Sequence, residues 1–474
     1  MAARWGRRVA GGAAALALAI VAAHVGLVAA TTQEPPELGG LSAPGVVRRA
    51  GVDRAGPSWR TRRGRIHEIG LVGSPAQMGA AHAVLAKDLM IRNERFLVRE
   101  LRRYLPGWLT RTLVMDAVRI RNRNLEGGFR PERLEEIAAA ASVLRPDPLE
   151  GLLPTYQRGL YLHALYDTAL AFEGSPMIGC SAFVASGRAT VDGHTWVGRN
   201  FDAEIGEPFD KDKVVFAMRP RGKVAFVSVA WGGMGGVVTG LSDAGIWASV
   251  NGARAGEPRE DGVPVTEILR EVLETATTLD DAIAIASRRE PMVSHLLLLA
   301  DGKTGESVVL ERSPGRTAEL RGEATLVVTN HYRTGLSDDP KDARVRETTS
   351  TLDRFARMVE IVVDAAERDA ATERGAIDAA RSVGILRDRR EAGGGALRVG
   401  DRRAIDALIA THSVVADVTA GVLWVSEGPH ALGRYVRFDL AELLHGEAPA
   451  RAPEAVAMPA DPLLRESARV ARRR

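Results

Sequence analysis

Apolar and polar positions alternate along the chain in three distinct textures. Residues 9–30 form an almost unbroken apolar run dominated by alanine, long enough to span a bilayer. Residues 65–179 show mainly helical spacing. Ser74-Pro75-Ala76-Gln77 has the form of a capping box, in which serine accepts from a free N–H and glutamine reaches back. Pro75 suits the first helical position because it has no N–H to leave unpaired. Ala81, Leu85, Leu89 and Ile91 then repeat at helical intervals. Arg130-Pro131-Glu132 opens a second helix through Leu134, Ile137 and Leu144, and a third is expected over residues 159–172. In that third helix His163 and Asp167 lie one turn apart, as a ligand pair or as an ordinary hydrogen bond.

After Cys180 the texture becomes short strands and tight turns. Residues 181–186 and 195–199 flank Asp192-Gly193, a hairpin signal because glycine supplies the positive φ that the turn requires. Further pairs are expected at 213–219 with 224–230, 237–241 with 246–251, 294–300 with 306–311, and 412–418 with 422–426; residues 325–330 make one more strand. Helices are expected at 264–287, 344–367 and 376–383. Strands arriving as hairpin pairs argue for antiparallel sheets and against a doubly wound parallel one. The expected class is α+β, with helices covering stacked sheets.

Composition changes this picture little. Sixty-three Lys and Arg face 60 Asp and Glu, a formal charge of +3, and the two signs are interleaved. That gives no case for nucleic acid. The N-terminus adds more. Arg4, Arg7 and Arg8 precede the apolar run, and Val28-Ala29-Ala30 offers small residues for a peptidase. The expected organisation is a signal peptide or uncleaved membrane anchor (1–30), a linker (31–59), a helical N-terminal region (60–179), a catalytic region (180–445) and a flexible tail (446–474). The protein is expected to be exported, periplasmic or extracellular, and tethered by residues 9–30 if they are retained.

Cys180 is the only cysteine. Exported proteins use cysteines in disulfide pairs, and a lone buried one is ordinarily an inert small hydrophobe. A nucleophilic thiol needs a base and donors for an oxyanion. His194, His331 and His412 are available by sequence order, but no papain-type signature surrounds Cys180. The other route makes cysteine an N-terminal residue whose α-amine, of pKa about 7.7–8.0, is the base. Gly179 favours that route, since a residue without a side chain tolerates the strained backbone of an N→S acyl shift.

Gly179-Cys180-Ser181-Ala182-Phe183, Asp192-Gly193 and Gly198-Arg199-Asn200-Phe201-Asp202 together resemble the acyl-CoA:6-aminopenicillanic-acid acyltransferase-like family of N-terminal-nucleophile (Ntn) hydrolases. Its relatives include choloylglycine hydrolases, penicillin V acylase and acid-ceramidase-type amidases. The similarity runs from about residue 71 to 440. It takes in Gly240-Leu241-Ser242-Asp243-Ala244-Gly245-Ile246 leading to Asn251, then Val328-Thr329-Asn330-His331 and the His412 strand pair. Ser242 departs from the pattern, in which asparagine is frequent.

The resemblance implies a four-layer αββα sandwich of antiparallel sheets preceded by a helical N-terminal segment. It implies self-cleavage between Gly179 and Cys180, and hydrolysis or transfer of an acyl group from a C–N amide through a Cys180 thioester. By position, Cys180 is nucleophile and, through its freed amine, base; Arg199 and Asp202 sit beside it. Asn251 offers a backbone N–H and Asn330 a side-chain amide to the oxyanion, and Arg354 matches a recurrent arginine. Each has a bland counterpart: an Arg–Asp surface ion pair, turn chemistry at Asn251-Gly252, a turn cap at Asn330. Two other readings stay open: a thiol hydrolase that never cuts itself and uses His331 or His412 as base, and a silent binding protein on the same fold. No cofactor is implied, and the ten histidines do not fall at metal-ligand spacing. The expected partner is a small-molecule acyl amide, with water favoured over coenzyme A as the other reactant; its acyl and amine parts and the oligomeric state stay open.

Overall fold

The computed structural model describes residues 2–171, 178–204, 206–367 and 375–464. Helix α1 (Ala2–Thr31) contains a window, Ala14–Thr31, long and apolar enough to cross a membrane. Four short strands follow: β1 (Val46–Arg49), β2 (Val52–Ala55), β3 (Ser58–Arg63) and β4 (Ile66–Gly73). Then come α2 (Pro75–Tyr104), α3 (Trp108–Arg121), α4 (Pro131–Val143), α5 (Thr155–His163) and α6 (Leu165–Ala171). Ser74 and Gln77 form the expected capping box at the start of α2.

From Ile178 onward run β5 (Ile178–Ala185), β6 (Trp196–Ala203), α7 (Glu207–Lys211), β7 (Lys213–Pro220), β8 (Phe226–Trp231), β9 (Thr239–Ser242) and β10 (Ile246–Gly252). Helices α8 (Val265–Thr275) and α9 (Leu279–Arg288) lead to β11 (His295–Asp301), β12 (Ser307–Ser313), β13 (Arg316–Gly322) and β14 (Thr325–Val328). After α10 (Pro340–Thr348), α11 (Thr351–Glu367) and α12 (Ala379–Leu386) the chain closes with β15 (Ala410–Asp417), β16 (Val422–Ser426), β17 (Tyr435–Asp439), α13 (Leu440–His445) and β18 (Ala457–Met458).

These strands form two sheets. The larger is ordered β1-β2-β3-β4-β7-β8-β9-β10-β11-β12-β13, and the smaller β14-β5-β6-β15-β16-β17-β18. Three apolar layers bind the parts together. Leu85, Leu89, Ile268 and Leu297 pack the larger sheet against α2, α4, α8 and α9. Ala182, Val184, Val197, Leu298 and Val414 fill the space between the sheets. Phe183, Met358, Val362 and Leu386 pack the smaller sheet against α11 and α12. The order helix, sheet, sheet, helix is the expected αββα sandwich, and every expected hairpin pair is antiparallel.

Six expectations change. The linker assigned to 31–59 contains β1, β2 and the first residues of β3. Gly51 and Gly56, at φ 77° and 60°, turn strands too short for alternation to show, and Trp59 is buried against Gly70. The region assigned to 60–179 is not a separate helical unit, because β4 pairs with β7 as the single parallel junction among the recorded strand pairs. The helix expected at 159–172 breaks at Ala164 between α5 and α6, and Phe172 lies outside the described residues. The helix at 264–287 breaks where Thr278 and Asp281 form a second capping box, and that at 344–367 breaks before Thr351. The tail expected to be loose from 446 is docked as far as residue 464: β18 pairs with β17, and Asp461 bonds Arg389.

Candidate active site

The site is set by strand parity. In β5 and β6, Gly179 pairs with Asp202, Cys180 with Phe201 and Ala182 with Arg199. Successive side chains point to opposite faces of a sheet. Cys180 and Arg199 therefore share the face turned to the larger sheet, while Ser181, Asn200 and Asp202 face α11 and α12. Arg199 and Asp202 are both buried, so the surface-pair alternative does not hold, and they lie on opposite faces of the strand.

The thiol is fully buried. The polar group recorded within reach of its Sγ is Arg199 Nη2, at 3.9 Å. Arg199 is held by the carbonyls of Val238 and Val250 and by Thr239 Oγ1, and its guanidinium lies 5.0 Å from the Phe201 ring centre. Burial pushes the Cys180 thiol above its ordinary pKa, against the pull of Arg199.

On the backbone side, Cys180 N–H donates to Asn330 Oδ1 at 2.9 Å. Arg354 donates to the Cys180 carbonyl (2.6 Å), to Ser181 Oγ (2.8 Å) and to Asn330 Oδ1 (2.8 Å). Asn330 in turn donates from Nδ2 to the Gly252 carbonyl at 2.9 Å, and its N–H is bound by Thr351 Oγ1. Asn251 donates from Nδ2 to the Thr329 carbonyl at 2.8 Å, which ties β10 to the strand end carrying Asn330. Asp202 lies beside Gly179, and its Oδ1 is buried without a partner. Burial pushes its carboxyl up to about 7, with the Arg354 charge drawing it back.

Five of the six predicted catalytic residues thus gather about the Gly179–Cys180 peptide, and Asn251 supports the frame. A Cβ on Gly179 would meet nothing nearer than Asp202 Cβ at 3.6 Å, so the folded backbone does not itself require glycine there. Three neighbours carry no sequence signal for this site: Thr351, Thr239 and Tyr166 come from distant segments. Tyr166 O–H is buried without a partner, 3.4 Å from where a Cβ on Gly252 would lie. Within the motif, Gly198 is required because a Cβ would lie 2.3 Å from the Phe183 ring. Asn200 ties β6 to the Leu386 and Ile405 carbonyls.

The candidate bases His194, His331 and His412 bond groups other than the thiol. His412 is buried, bonds Thr239 Oγ1 at 2.9 Å and stacks on Phe201 with ring centres 5.0 Å apart. His331 bonds Thr329 and Thr351, and burial lowers its pKa to about 4. His194 bonds Asp417. His163 and Asp167 do not pair: His163 bonds the Gly159 carbonyl and the Gly235 N–H, while Asp167 accepts from Val265 N–H at the start of α8. A cavity of about 290 Å³ reaches Gly179, Asp202, Asn330 and Arg354 but leaves the thiol behind its wall.

A family model described as Acyl-coenzyme A:6-aminopenicillanic acid acyl-transferase matches residues 189–374. That segment carries Arg199, Asp202, Asn251, Asn330 and Arg354 and begins after Cys180, and it bears out the resemblance drawn from the motifs. An uncharacterised protein of Archaeoglobus fulgidus is 27% identical over 285 residues, 54% of this chain and 46% of that protein; the alignment spans less than half of that relative. Among solved structures, the N-acylethanolamine-hydrolyzing acid amidase ortholog of Caenorhabditis elegans is 18% identical, covers 51% of this chain and 93% of its own, with a TM-score of 0.37. Penicillin V acylase from Agrobacterium tumefaciens is 16% identical, covering 60% and 99%, with a TM-score of 0.36.

Proposed function

We propose that this chain is an exported cysteine amidohydrolase or acyltransferase that cuts itself between Gly179 and Cys180. It then cleaves, or transfers the acyl group of, a non-peptide C–N amide through a Cys180 thioester. The observation that carries this reading is the set of groups on one peptide: Asn330, Arg354 and Asp202 converge on Gly179–Cys180 beside a cavity, while the thiol waits behind it.

In the first step Sγ attacks the Gly179 carbonyl, the C–N bond breaks and the nitrogen takes the thiol proton. Water then hydrolyses the thioester, leaving a Gly179 carboxylate and a free Cys180 amine. That amine, with a pKa of about 7.7–8.0, replaces the missing histidine as base. It takes the thiol proton during attack on a substrate amide and returns it to the leaving nitrogen. Asp202 steadies the amine, and Asn330 and Arg354 orient the backbone. Helix α1 supplies the apolar segment for export or tethering. A histidine-assisted thiol has less support, since His331 and His412 are bonded to threonines.

The test is intact mass under denaturing conditions for wild type, Cys180→Ser and Cys180→Ala, followed by acyl-amide turnover. Two fragments meeting at Gly179/Cys180 in wild type, one uncut chain in the alanine variant, and amide hydrolysis by the cut protein alone are expected. An uncut wild type that hydrolyses amides would sink the self-cleavage step, and a cut or uncut protein without turnover would leave a binding protein.

A further inference from the structure

A second cavity, of about 830 Å³, adjoins the one at Gly179; the two share Leu170, Ala253, Arg254, Val345, Thr348 and Thr349. Its charged lining is one-sided. Arg121, Arg254, Lys341 and Arg344 face it, against the single carboxylate of Glu257. Two of these cations have internal partners: Lys341 Nζ bonds Glu257 and the Gly256 carbonyl, and Arg254 donates to the Leu170 carbonyl. Arg121, at the end of α3, is different. Its Nε and Nη2 are shielded from water and have no hydrogen-bond partner. Those two nitrogens are closed to direct contact, so Arg121 would act on an anion in the cavity through its uncompensated charge. Arg344, from α10, brings a second guanidinium to the lining, a group suited to bidentate capture of a planar carboxylate. Between these cations and Gly179 half of the shared wall is apolar, namely Leu170, Ala253 and Val345, beside Arg254, Thr348 and Thr349.

We propose that this cavity is an anion subsite, so that the amide substrate carries a carboxylate or similar anionic group separated from the scissile bond by an apolar portion. The assignment rests on the proposed amidase reading only for which bond is cut; the binding itself is independent of turnover. A one-sided set of charges in a recessed cavity raises the local concentration of anions, and added salt weakens the effect.

The experiment is calorimetry on the full-length Cys180→Ala chain, which binds without reacting. Three probes are compared: N-octanoylglycine, the monoethanolamide of octanedioic acid, and neutral N-octanoylethanolamine. The first two place the carboxylate on the amine and acyl side respectively, so the tighter one identifies which part of the substrate enters the subsite. At least one should bind about tenfold or more tightly than the neutral probe. That preference should shrink severalfold in Arg121→Gln/Arg344→Gln and at high salt, and survive in Arg344→Lys, which keeps the charge. Equal binding of all three probes, binding of none, or an undiminished preference in the double variant would overturn the subsite. Failure of the amidase reading would show separately, as absent turnover by wild type.

Discussion

Replacing Asp202 by asparagine in the Cys180→Ala chain measures what it costs to hold a carboxylate beside the Gly179–Cys180 peptide. Burial pushes this carboxyl up to about 7, whereas in an unfolded chain it titrates near 3.9. Between those values the unfolded state has released its proton and the folded state has kept it. Stability therefore falls as pH rises from about 4 to about 7 and levels off above. The interval corresponds to about 4 kcal/mol. Asparagine keeps the shape of the neutral acid and cannot ionise. The variant should match its parent at pH 4 and exceed it by up to about 4 kcal/mol at pH 8, measured by urea denaturation at both pH values. Equal stability at pH 8, or a more stable parent, would refute the reasoning. Equality would mean that Arg354 offsets the effect of burial on the ion, and a more stable parent that it exceeds it.

Two further substitutions test the frame around the site. Gly198→Ala forces a Cβ to within 2.3 Å of the Phe183 ring and should destabilise by about 1–3 kcal/mol. Phe183→Leu in the same chain should recover part of that loss; strictly additive effects in thermal melts would show that the ring is not the cause. Glu136 accepts from Arg270 at 3.1 and 2.8 Å in a buried cluster on the helical layer, and the charges of Arg133 and Arg270 pull its carboxyl down to about 2 against the opposing effect of burial. Glu136→Gln should cost about 3–5 kcal/mol at pH 7. Because the folded pKa is depressed, the wild-type advantage exists above about pH 4 and fades as pH falls towards 2, so an equal penalty at pH 7 and pH 3 would contradict the account.

Local chemistry in the sequence reached far into this structure. Asp192-Gly193 placed the β5–β6 hairpin, and Ser74-Pro75-Ala76-Gln77 placed the start of α2. The single cysteine pointed to the peptide about which the candidate residues gather. What stayed hidden was of two kinds. Strands of four residues with arginines at half their positions, as in β1, carry too short a pattern to separate from loop. Contacts between distant segments leave no trace in spacing: Thr351 beneath Asn330, Thr239 against both Arg199 and His412, and the approach of Tyr166 to Gly252. The opposite orientation of Arg199 and Asp202 was legible in principle, since an interval of three along a strand reverses the face.

The parallel pairing of β4 with β7 decides what a break in the backbone before Cys180 could release. The portion ahead of that point is not a removable cap. It owns four strands of the larger sheet and the helices α2 and α4 that roof it, while the portion after it owns the remaining seven. The two would stay interleaved as partners in one sheet, sharing a core that neither can complete alone. Separation would be indistinguishable from unfolding. Such a cut would add one carboxylate and one amine at a single point and leave the architecture whole, so that it acts as a trigger with no discarded part.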